Sequence, residues 1–343
     1  MIYQIPGDVG KPWRFMNFIE YMTGDNDDNA AIIKYFVKHR TKGKKDYNKC
    51  MAWLIYLYST CHSWAAAAFM SEILDYSVIT EKDLNDFWRE NKPRLLFQSD
   101  RRYVKHMNQF VTMATEFLAK SERDPYGFFQ SFNQGTSEEV YKKIYKEVSS
   151  WSFYGRFGTG MLLKGLWLFG DMEPDSICSY DWNAGSTTTA AFFTVMYQDE
   201  RSLDFGLKER RKTARVTAEE KVLLDAALSC TVDYLRKHFP NQRWGIQSLL
   251  AEACPYYKMY KGARYNGYYV DRQQEELIQL QKDWPEYGSI WDLCWEARRK
   301  SIPVKYLGEV NGWEGIRTSV CRRFLDTGKV DVYPYKDWKG VAV

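Results

Sequence analysis

The amino-acid sequence predicts a mainly α-helical protein, built of two helical subdomains with a small irregular or β-containing C-terminal extension. Three observations support this prediction. Apolar residues recur at helical spacing along most of the chain, Pro and Gly separate the periodic segments, and 45% of the 343 residues are hydrophobic, enough for a large core. We place the first subdomain at residues 1–150, the second at 151–300 and the extension at 301–343.

The first predicted helix opens near residue 13. Its apolar positions are spaced at i, i+3, i+4 and i+7 and therefore share one face: Phe15, Phe18, Ile19 and Met22. Gly24 ends this helix. Thr80 and Asp83 predict the N-cap of a later helix, which Pro93 ends. Helical periodicity also covers residues 50–76, 101–119 and 137–150.

The second predicted subdomain begins with a change in composition: three glycines fall within six residues at 155–160. An apolar helix is predicted to follow at 161–169. Further helices are predicted from about residue 190 and at 217–238, 273–282 and 289–300. In the C-terminal extension, short alternating runs at 304–307 and 330–333 predict a small hairpin.

Composition limits the classes of function. The net charge of +4 and the pI near 8.5 permit binding to a polyanion. Basic runs occur at 38–49, 208–215 and 298–300, and each is also consistent with a solvated surface. Phe, Trp and Tyr make up 17% of the chain, which supplies a ring-rich core and leaves some rings for stacking on bases.

Spacing of Cys and His residues argues against zinc and iron–sulfur sites, because no C-x-x-C or H-x-x-x-H pair occurs. We expect no metal and no cofactor. Phosphate-loop, dinucleotide-binding and G-x-S-x-G motifs are also missing, which argues against kinases, dehydrogenases and serine hydrolases. The odd number of cysteines, seven, and an N-terminus without an apolar signal region predict a cytoplasmic protein, and the apolar run at 161–169 is too short to span a bilayer.

The strongest local signal is the segment 154–160, which precedes an apolar helix. Glycines before a helix let backbone N–H groups approach a phosphate, and the helix N-terminus favours an anion there. A helix-hairpin-helix element binds the DNA backbone in this way, without reading sequence. We therefore predict DNA contacts from Gly155, Arg156, Gly158 and Gly160. The alternative is a tight turn between helices that binds no ligand.

Lys164 lies inside the apolar helix, where a buried lysine is costly unless it is paired or functional. Asp181 follows in an irregular stretch. DNA glycosylases of the helix-hairpin-helix class place a catalytic aspartate at about this distance beyond their hairpin. We predict that both residues are catalytic. The alternatives are a lysine that reaches the surface and an aspartate that caps the next helix.

Two further groups are predicted to bind substrate. Near the N-terminus, an arginine and an amide side by side suit a carboxylate or a diphosphate, with two acidic residues nearby. In the tyrosine-rich segment 255–272, rings and forked cations suit stacking on a flipped base and binding of phosphates. The predicted substrate-binding residues are Arg14, Asn17, Glu20, Asp25, Tyr265, Tyr269 and Arg272. The alternatives are a surface helix edge and a packed aromatic corner.

Three segments resemble a known family: W-R-F-M-N-F-I-E-Y-M-T-G-D at 13–25, G-R-F-G-T-G-M-L-L-K at 155–164 and Y-x-G-Y-Y-x-D-R-x-x-E at 265–275. They are similar to viral amino acid:DNA transferases, which hypermodify thymine. That family is related to the α-glutamyl/putrescinyl-thymine pyrophosphorylases and is regarded as distantly related to helix-hairpin-helix DNA glycosylases. The resemblance therefore implies a glycosylase-like fold. In the second segment, Lys164 stands where the family pattern has a small apolar residue.

The resemblance also implies a reaction and its partners. The DNA would carry a 5-hydroxymethyluracil whose hydroxyl is pyrophosphorylated, and the amine or hydroxyl of a free amino acid would displace the pyrophosphate in the cytoplasm of a viral host. Such a site needs cations for the leaving group, a base for the nucleophile's proton and a clamp for its carboxylate. The residues expected in these three roles are Lys164, Arg156 and Arg272; Asp181 or Glu20; and Arg14 with Asn17.

Two other functions are consistent with the same residues. A helix-hairpin-helix DNA glycosylase would use the hairpin and Asp181, with water or a lysine as the nucleophile, and would leave abasic sites in DNA. A non-catalytic DNA-binding subunit would use the hairpin alone, and replacing Asp181 by Asn would leave its function intact.

Overall fold

A computed structural model gives the fold of the protein. It describes residues 18–19, 22–23, 29–41, 46–95, 101–169, 172, 174–175, 182, 188–197, 215–241, 244–246, 249, 253 and 268–301. These residues are mostly helical and contain no strand, which confirms the mainly α class. The helix-hairpin-helix, glycosylase-like arrangement stays a prediction. Apart from Ser301, the predicted C-terminal extension lies outside the described residues.

The helices are numbered here in chain order. They are α1 (Asn29–Arg40), α2 (Tyr47–Cys61), α3 (Trp64–Ile73), α4 (Glu81–Asn91), α5 (Arg101–Lys120), α6 (Pro125–Gln130), α7 (Ser137–Val148), α8 (Arg156–Phe169), α9 (Thr188–Tyr197), α10 (Ala218–His238), α11 (Tyr268–Asp283) and α12 (Gly288–Ser301). A 3₁₀ turn, Pro285–Tyr287, joins α11 to α12.

The described residues fall into two compact units. Those of the first unit lie before residue 24 and between 175 and 268, and they include α9, α10 and the first residue of α11. Those of the second unit lie at 29–174 and from 269 onward. Both units are discontinuous in sequence, because the chain leaves the second unit after α8 and returns to it at α11. The continuous division at residues 150 and 300 stays a prediction.

Capping boxes define the starts of three described helices. In each, a threonine hydroxyl accepts a hydrogen bond from the backbone N–H three positions later, and the acidic side chain there accepts from the threonine N–H. The pairs are Thr80 with Asp83 at α4, Thr136 with Glu139 at α7 and Thr217 with Glu220 at α10. The first pair confirms the predicted N-cap, and its hydrogen bonds lower the pKa of the Asp83 carboxyl.

Alanines allow close packing in the core of the second unit. Ala65–Ala68 of α3 are completely buried, and α3 packs against α2 and α12. The ring centroid of Phe69 in α3 lies 4.6 Å from that of Trp284 and 5.4 Å from that of Trp291. The returning segment around α12 therefore completes a core that the earlier helices begin.

Two contacts place α8 against α2. Gly165 faces Ile55 so closely that a Cβ on the glycine would lie 2.6 Å from Cγ2 of the isoleucine. Tyr154, two residues before α8, is buried, and its hydroxyl forms a hydrogen bond with that of Ser59. Burial raises the pKa of the Tyr154 phenol. The segment that leads into α8 is thus part of the core.

The core of the first unit confirms part of the first predicted helix. Phe18 and Met22 have helical backbone and are buried. Phe18 packs edge-on against Phe192 of α9, with ring centroids 4.7 Å apart. Trp182 is buried against Phe193 of the same helix.

Two helices begin earlier than the sequence predicts. The predicted starts at residues 161 and 273 are wrong, because α8 begins at Arg156 and α11 begins at Tyr268. Gly158 and Gly160 therefore lie in the first turns of α8 and not in a loop before it. Glycine in a helix interior costs about 1 kcal/mol relative to alanine. Complete burial of Thr159 in the same turn offsets this cost.

Candidate functional site

Most of the predicted substrate-binding residues lie outside the described residues. These are Arg14, Asn17, Glu20, Asp25 and Tyr265, together with the predicted base Asp181. The backbone is helical at Arg156, Tyr269 and Arg272, in α8 and α11, and their side chains lie outside the described part of the chain. The roles of all these residues stay predictions.

Two of the three predicted phosphate-binding glycines, Gly155 and Gly160, border open space within the part of the chain that the structure describes. Gly155 precedes α8, and its carbonyl accepts the first helical hydrogen bond, from the N–H of Thr159 at 3.0 Å. A Cβ at Gly155 or Gly160 would meet no atom of the described residues within 4 Å beyond its own helix backbone and chain neighbours. A ligand backbone therefore has room to approach both glycines, whereas Gly158 is buried.

Lys164 lies on the partly exposed edge of α8. It follows Gly160 by one helical turn, and both residues are half-buried, whereas Leu163 and Gly165 on either side are buried. One turn of helix rises about 5.4 Å. An anion bound beside Gly160 would therefore lie within reach of the Lys164 ammonium.

Trp182, the neighbour of the predicted base Asp181, is anchored to α10. Its indole N–H donates to Oδ1 of Asp225 at 2.6 Å. Lys221, one turn earlier in α10, donates to Oδ2 of the same carboxylate at 2.6 Å. The residue that follows the predicted base is thus held by a charged acceptor on a regular helix.

A buried polar contact joins α11 to the turn between α2 and α3. The Oγ of Ser63 donates a hydrogen bond of 2.8 Å to Oε2 of Glu276. Ser63 is 1% exposed and Glu276 is 8% exposed, and Gln273 and Gln274 of α11 are also buried. Buried polar groups are costly unless they are hydrogen-bonded, so this region needs partners for several of them.

The turn between α2 and α3 has an unusual backbone. His62 has φ 54° and ψ 27°, in the left-handed region that few residues other than glycine adopt. Ser63 follows as the N-cap of α3, and its Oγ accepts from the N–H of Ala66. The thiol of Cys61 donates to the carbonyl of Ser63 at 3.2 Å, and burial raises the pKa of this thiol to about 12. A protonated thiol of this kind is not a nucleophile at neutral pH.

The position of Ser63 also determines the electrostatics of the contact. Because Ser63 is the N-cap of α3, the Glu276 carboxylate that it contacts lies at the positive end of the α3 dipole. A helix N-terminus stabilises a nearby anion.

Two buried polar atoms of residues near Ser63 and Glu276 in sequence have no hydrogen-bond partner within the part of the chain that the structure describes: Nε1 of Trp64 and Oε1 of Gln274. Trp64 is 2% exposed and follows Ser63, and Gln274 is 1% exposed and precedes Glu276 by two positions. Unsatisfied buried groups are rare in native proteins, and a bound ligand or water is a common explanation.

The contact between Ser63 and Glu276 is not among the sequence predictions, although α11 carries a signal for the burial of Glu276. Leu277, Leu280 and Trp284 have the spacing of a buried helical face. Continuing that face toward the N-terminus reaches Gln273 and Glu276, so two polar residues occupy an apolar stripe. Ser63 carries no comparable local signal.

Among the described residues, no group of three or more His, Cys, Asp and Glu side chains has an arrangement that could hold a metal ion. None of the helices described here combines the length and the apolar character that a membrane crossing requires.

The chain is similar to the Serinyltransferase of Salmonella phage ViI. The two are 24% identical over 307 residues, which cover 84% of this chain and 72% of the phage protein. No protein-family model matches the chain, and no solved structure matches it.

Proposed function

We propose that this protein is a transferase that attaches an amino acid to a modified thymine in DNA. The observation that carries the proposal is the similarity to the Serinyltransferase of Salmonella phage ViI, which extends over 84% of the chain. The segments at 13–25, 155–164 and 265–275, which resemble viral amino acid:DNA transferases, support the same function. Because the name of the relative refers to serine, L-serine is the first amino acid to test.

The proposed reaction is a displacement at the exocyclic carbon of a pyrophosphorylated 5-hydroxymethyluracil. The amine or hydroxyl of the amino acid forms a bond to this carbon, and the bond from the carbon to the pyrophosphate oxygen breaks. Pyrophosphate leaves with the bonding electrons, and the proton of the nucleophile passes to a carboxylate of the protein. No atom changes its oxidation state, so the reaction needs no redox cofactor.

Each requirement of this reaction has proposed residues. They are Lys164, Arg156 and Arg272 for the leaving pyrophosphate; Asp181 for the proton, with Glu20 or Asp25 as the alternative; Arg14 and Asn17 for the amino-acid carboxylate; Tyr265 and Tyr269 for the base; and Gly155 and Gly160 for the DNA phosphates. The half-buried position of Lys164, one turn after Gly160, supports its role beside a phosphate.

The deciding experiment follows the product. DNA that contains pyrophosphorylated 5-hydroxymethyluracil is incubated with the protein and single amino acids, and its nucleosides are analysed by mass spectrometry. We expect a nucleoside that is heavier than 5-hydroxymethyl-2′-deoxyuridine by the mass of one amino-acid residue, together with released pyrophosphate. Abasic sites without this nucleoside would instead indicate a glycosylase, and unchanged DNA with all amino acids would refute both activities.

The predicted base is tested by a matched pair of variants. Asp181→Asn should lower product formation by about 10²–10⁴-fold, the usual contribution of a general base. Asp233→Asn removes an exposed carboxylate from α10 and should leave the rate unchanged. Equal rates for the two variants would exclude Asp181 as the base and would direct attention to Glu20 and Asp25.

A further inference from the structure

We propose that the ring of Phe153 inserts into the base stack of the DNA, beside the nucleotide whose phosphate lies at Gly155. The inference rests on the proposed function, because it takes DNA as the substrate and Gly155 as a phosphate contact. It concerns binding only, and no bond is formed or broken at the ring.

Phe153 presents an aromatic surface to the outside of the protein. Among the described residues, four large apolar side chains are exposed, and Phe153 is the only one of them with an aromatic ring. The residue is 37% exposed. Single exposed apolar residues are common on protein surfaces, so exposure alone does not indicate a site. The backbone and the neighbours of Phe153 supply the further observations.

The backbone of Phe153 is strained. Its φ is 63°, in the left-handed region where the Cβ of an L-residue crowds the following carbonyl oxygen, and glycine adopts this region without that cost. For a bulky residue such a conformation is rare, and strained residues of this kind cluster at functional sites. A ring kept at a position that suits glycine therefore indicates that the ring itself is used.

The residues on both sides hold Phe153 in place. The backbone N–H of Ser152 donates to Oε2 of Glu116 in α5 at 2.9 Å. Tyr154 is buried, and its hydroxyl forms a hydrogen bond with that of Ser59 in α2. The strained corner is thus fixed to two helices of the second unit. A side chain on such a corner loses little conformational freedom when it binds a partner.

The position of Phe153 in the chain selects a base of DNA as its partner. Gly155 follows by two residues, so the Cα atoms of the two residues lie within about 7 Å of each other. Gly155 is exposed and has open space around it among the described residues, and it stands at the start of α8, where a phosphate is favoured. An apolar ring beside a phosphate contact meets the bases of the same strand.

Insertion also agrees with binding that does not read sequence. Phenylalanine is among the apolar side chains that DNA-bending proteins insert between base steps, which unstacks the bases on either side. Every base has a π-face, so a stacked ring tolerates any sequence. The ring would therefore add a contact with bases to the phosphate contacts without making the protein sequence-specific.

The test uses 2-aminopurine, a base whose fluorescence rises when it is unstacked. A set of short duplexes containing 5-hydroxymethyluracil carries one such probe each, at successive positions, and the full-length protein is added until anisotropy of an end label shows saturation. 5-Hydroxymethyluracil lacks the leaving group, so no reaction takes place. We expect the probe fluorescence of the wild-type complex to rise at one or more positions.

A matched set of variants assigns the rise to the ring. Phe153→Asn removes the ring, and asparagine tolerates left-handed backbone, so this variant should fold. We expect it to lose the fluorescence rise and to bind DNA at least about fivefold more weakly. The slope of log K against log salt concentration should be unchanged, because no phosphate contact is removed. Phe153→Tyr keeps a ring and should retain the rise.

Val78→Asn is the control. It removes another exposed apolar side chain, between α3 and α4, and should bind DNA and raise the probe fluorescence like the wild type.

The possible results are distinct. The inference is overturned if the wild-type protein does not bind the duplexes, if its saturated complexes show no rise at any position, or if Phe153→Asn gives the same rise as Val78→Asn. A shallower salt slope in Phe153→Asn would also overturn it, because the substitution would then have removed a phosphate contact. The proposed function is judged separately, by the mass of the nucleosides. A transfer product from a protein that leaves 2-aminopurine stacked would refute the insertion while leaving the transferase activity established.

Discussion

The indole N–H of Trp182 and the carboxylate of Asp225 form a hydrogen bond of 2.6 Å, and Lys221 contacts the same carboxylate. The indole is 3% exposed and lies edge-on to Phe193, with ring centroids 5.7 Å apart. Hydrogen bonds to an ionised acceptor are shorter and stronger than neutral ones. This contact therefore ties Trp182, which lies outside the described helices, to α10.

Asp225→Ala should lower the free energy of unfolding by about 1–3 kcal/mol, because the buried indole N–H loses its acceptor. Chemical denaturation measures this change. Asp233→Ala is the matched control on the exposed side of the same helix and should change stability by less than about 0.5 kcal/mol. If both variants lose the same free energy of unfolding, the hydrogen bond between Asp225 and Trp182 does not stabilise the fold.

Gly165→Ala should destabilise the protein by about 1–3 kcal/mol, because the new Cβ would overlap with Ile55 in α2. Gly160→Ala lies in the same helix beside open space and should be neutral or stabilising by up to about 1 kcal/mol. Thermal unfolding distinguishes the two variants. Gly160→Ala should also weaken DNA binding, since its methyl group would stand where we predict a phosphate. A large loss of stability in Gly160→Ala would contradict this prediction.

Lys164→Met should fold and bind DNA but lose turnover by about 10²–10³-fold, because the ammonium is proposed to neutralise the leaving pyrophosphate. Release of pyrophosphate under saturating DNA measures the rate. Lys146→Met, on the exposed side of α7, is the control for the removal of one positive charge. If turnover is unchanged in Lys164→Met, the lysine has no catalytic role and only packs at the edge of α8.

DNA binding should be independent of sequence and should weaken steeply with salt, because the predicted contacts are to phosphates. Fluorescence anisotropy of labelled duplexes across a salt series measures the slope. A flat response to salt, or a strong preference for one base sequence, would be incompatible with the predicted glycine contacts.

Stability should fall above pH 9 through the thiol of Cys61. Its pKa is about 12 in the folded protein, above its ordinary value of 9.0, because burial disfavours the thiolate. As pH rises, the unfolded chain loses this proton at a lower pH than the folded protein does. The stabilisation of the fold by the protonated thiol is therefore complete below pH 9 and is lost as the pH approaches 12. Between pH 8 and pH 10, the free energy of unfolding of the wild type should fall by about 1 kcal/mol more than that of Cys61→Ser, a variant that keeps a donor for the Ser63 carbonyl. Denaturation at several pH values measures this, and parallel curves would contradict it.

Local patterns predict the parts of this fold that depend on neighbours in sequence. The spacing of Phe18 and Met22 predicts a buried helical face, and Thr80 predicts a helix start, and the structure has both. The start of α8 is missed because glycines before an apolar run predict a loop. In the structure, burial of Thr159 and of the leucines after it holds these glycines in a helix.

Contacts between distant residues have no such signature. Ser63 and Glu276 meet across 213 positions. The apolar face of α11 indicates that Glu276 is buried, but no local pattern identifies Ser63 as its partner. The strained backbone of His62 is equally invisible, because no glycine or asparagine marks it. The predicted catalytic set came from motifs alone, and its placement stays a prediction.

The discontinuity of the second unit has a consequence for synthesis on the ribosome. Trp284 and Trp291 cover Phe69 and are made long after the helices that they complete. At a translation rate of about 5–20 residues per second, the nascent chain spends roughly 10 s between residue 174 and the end of α12. During that time the ring of Phe69 and its alanine neighbours have no indoles to cover them. The growing chain is therefore a natural client for chaperones, and premature termination within α11 would leave an aggregation-prone fragment.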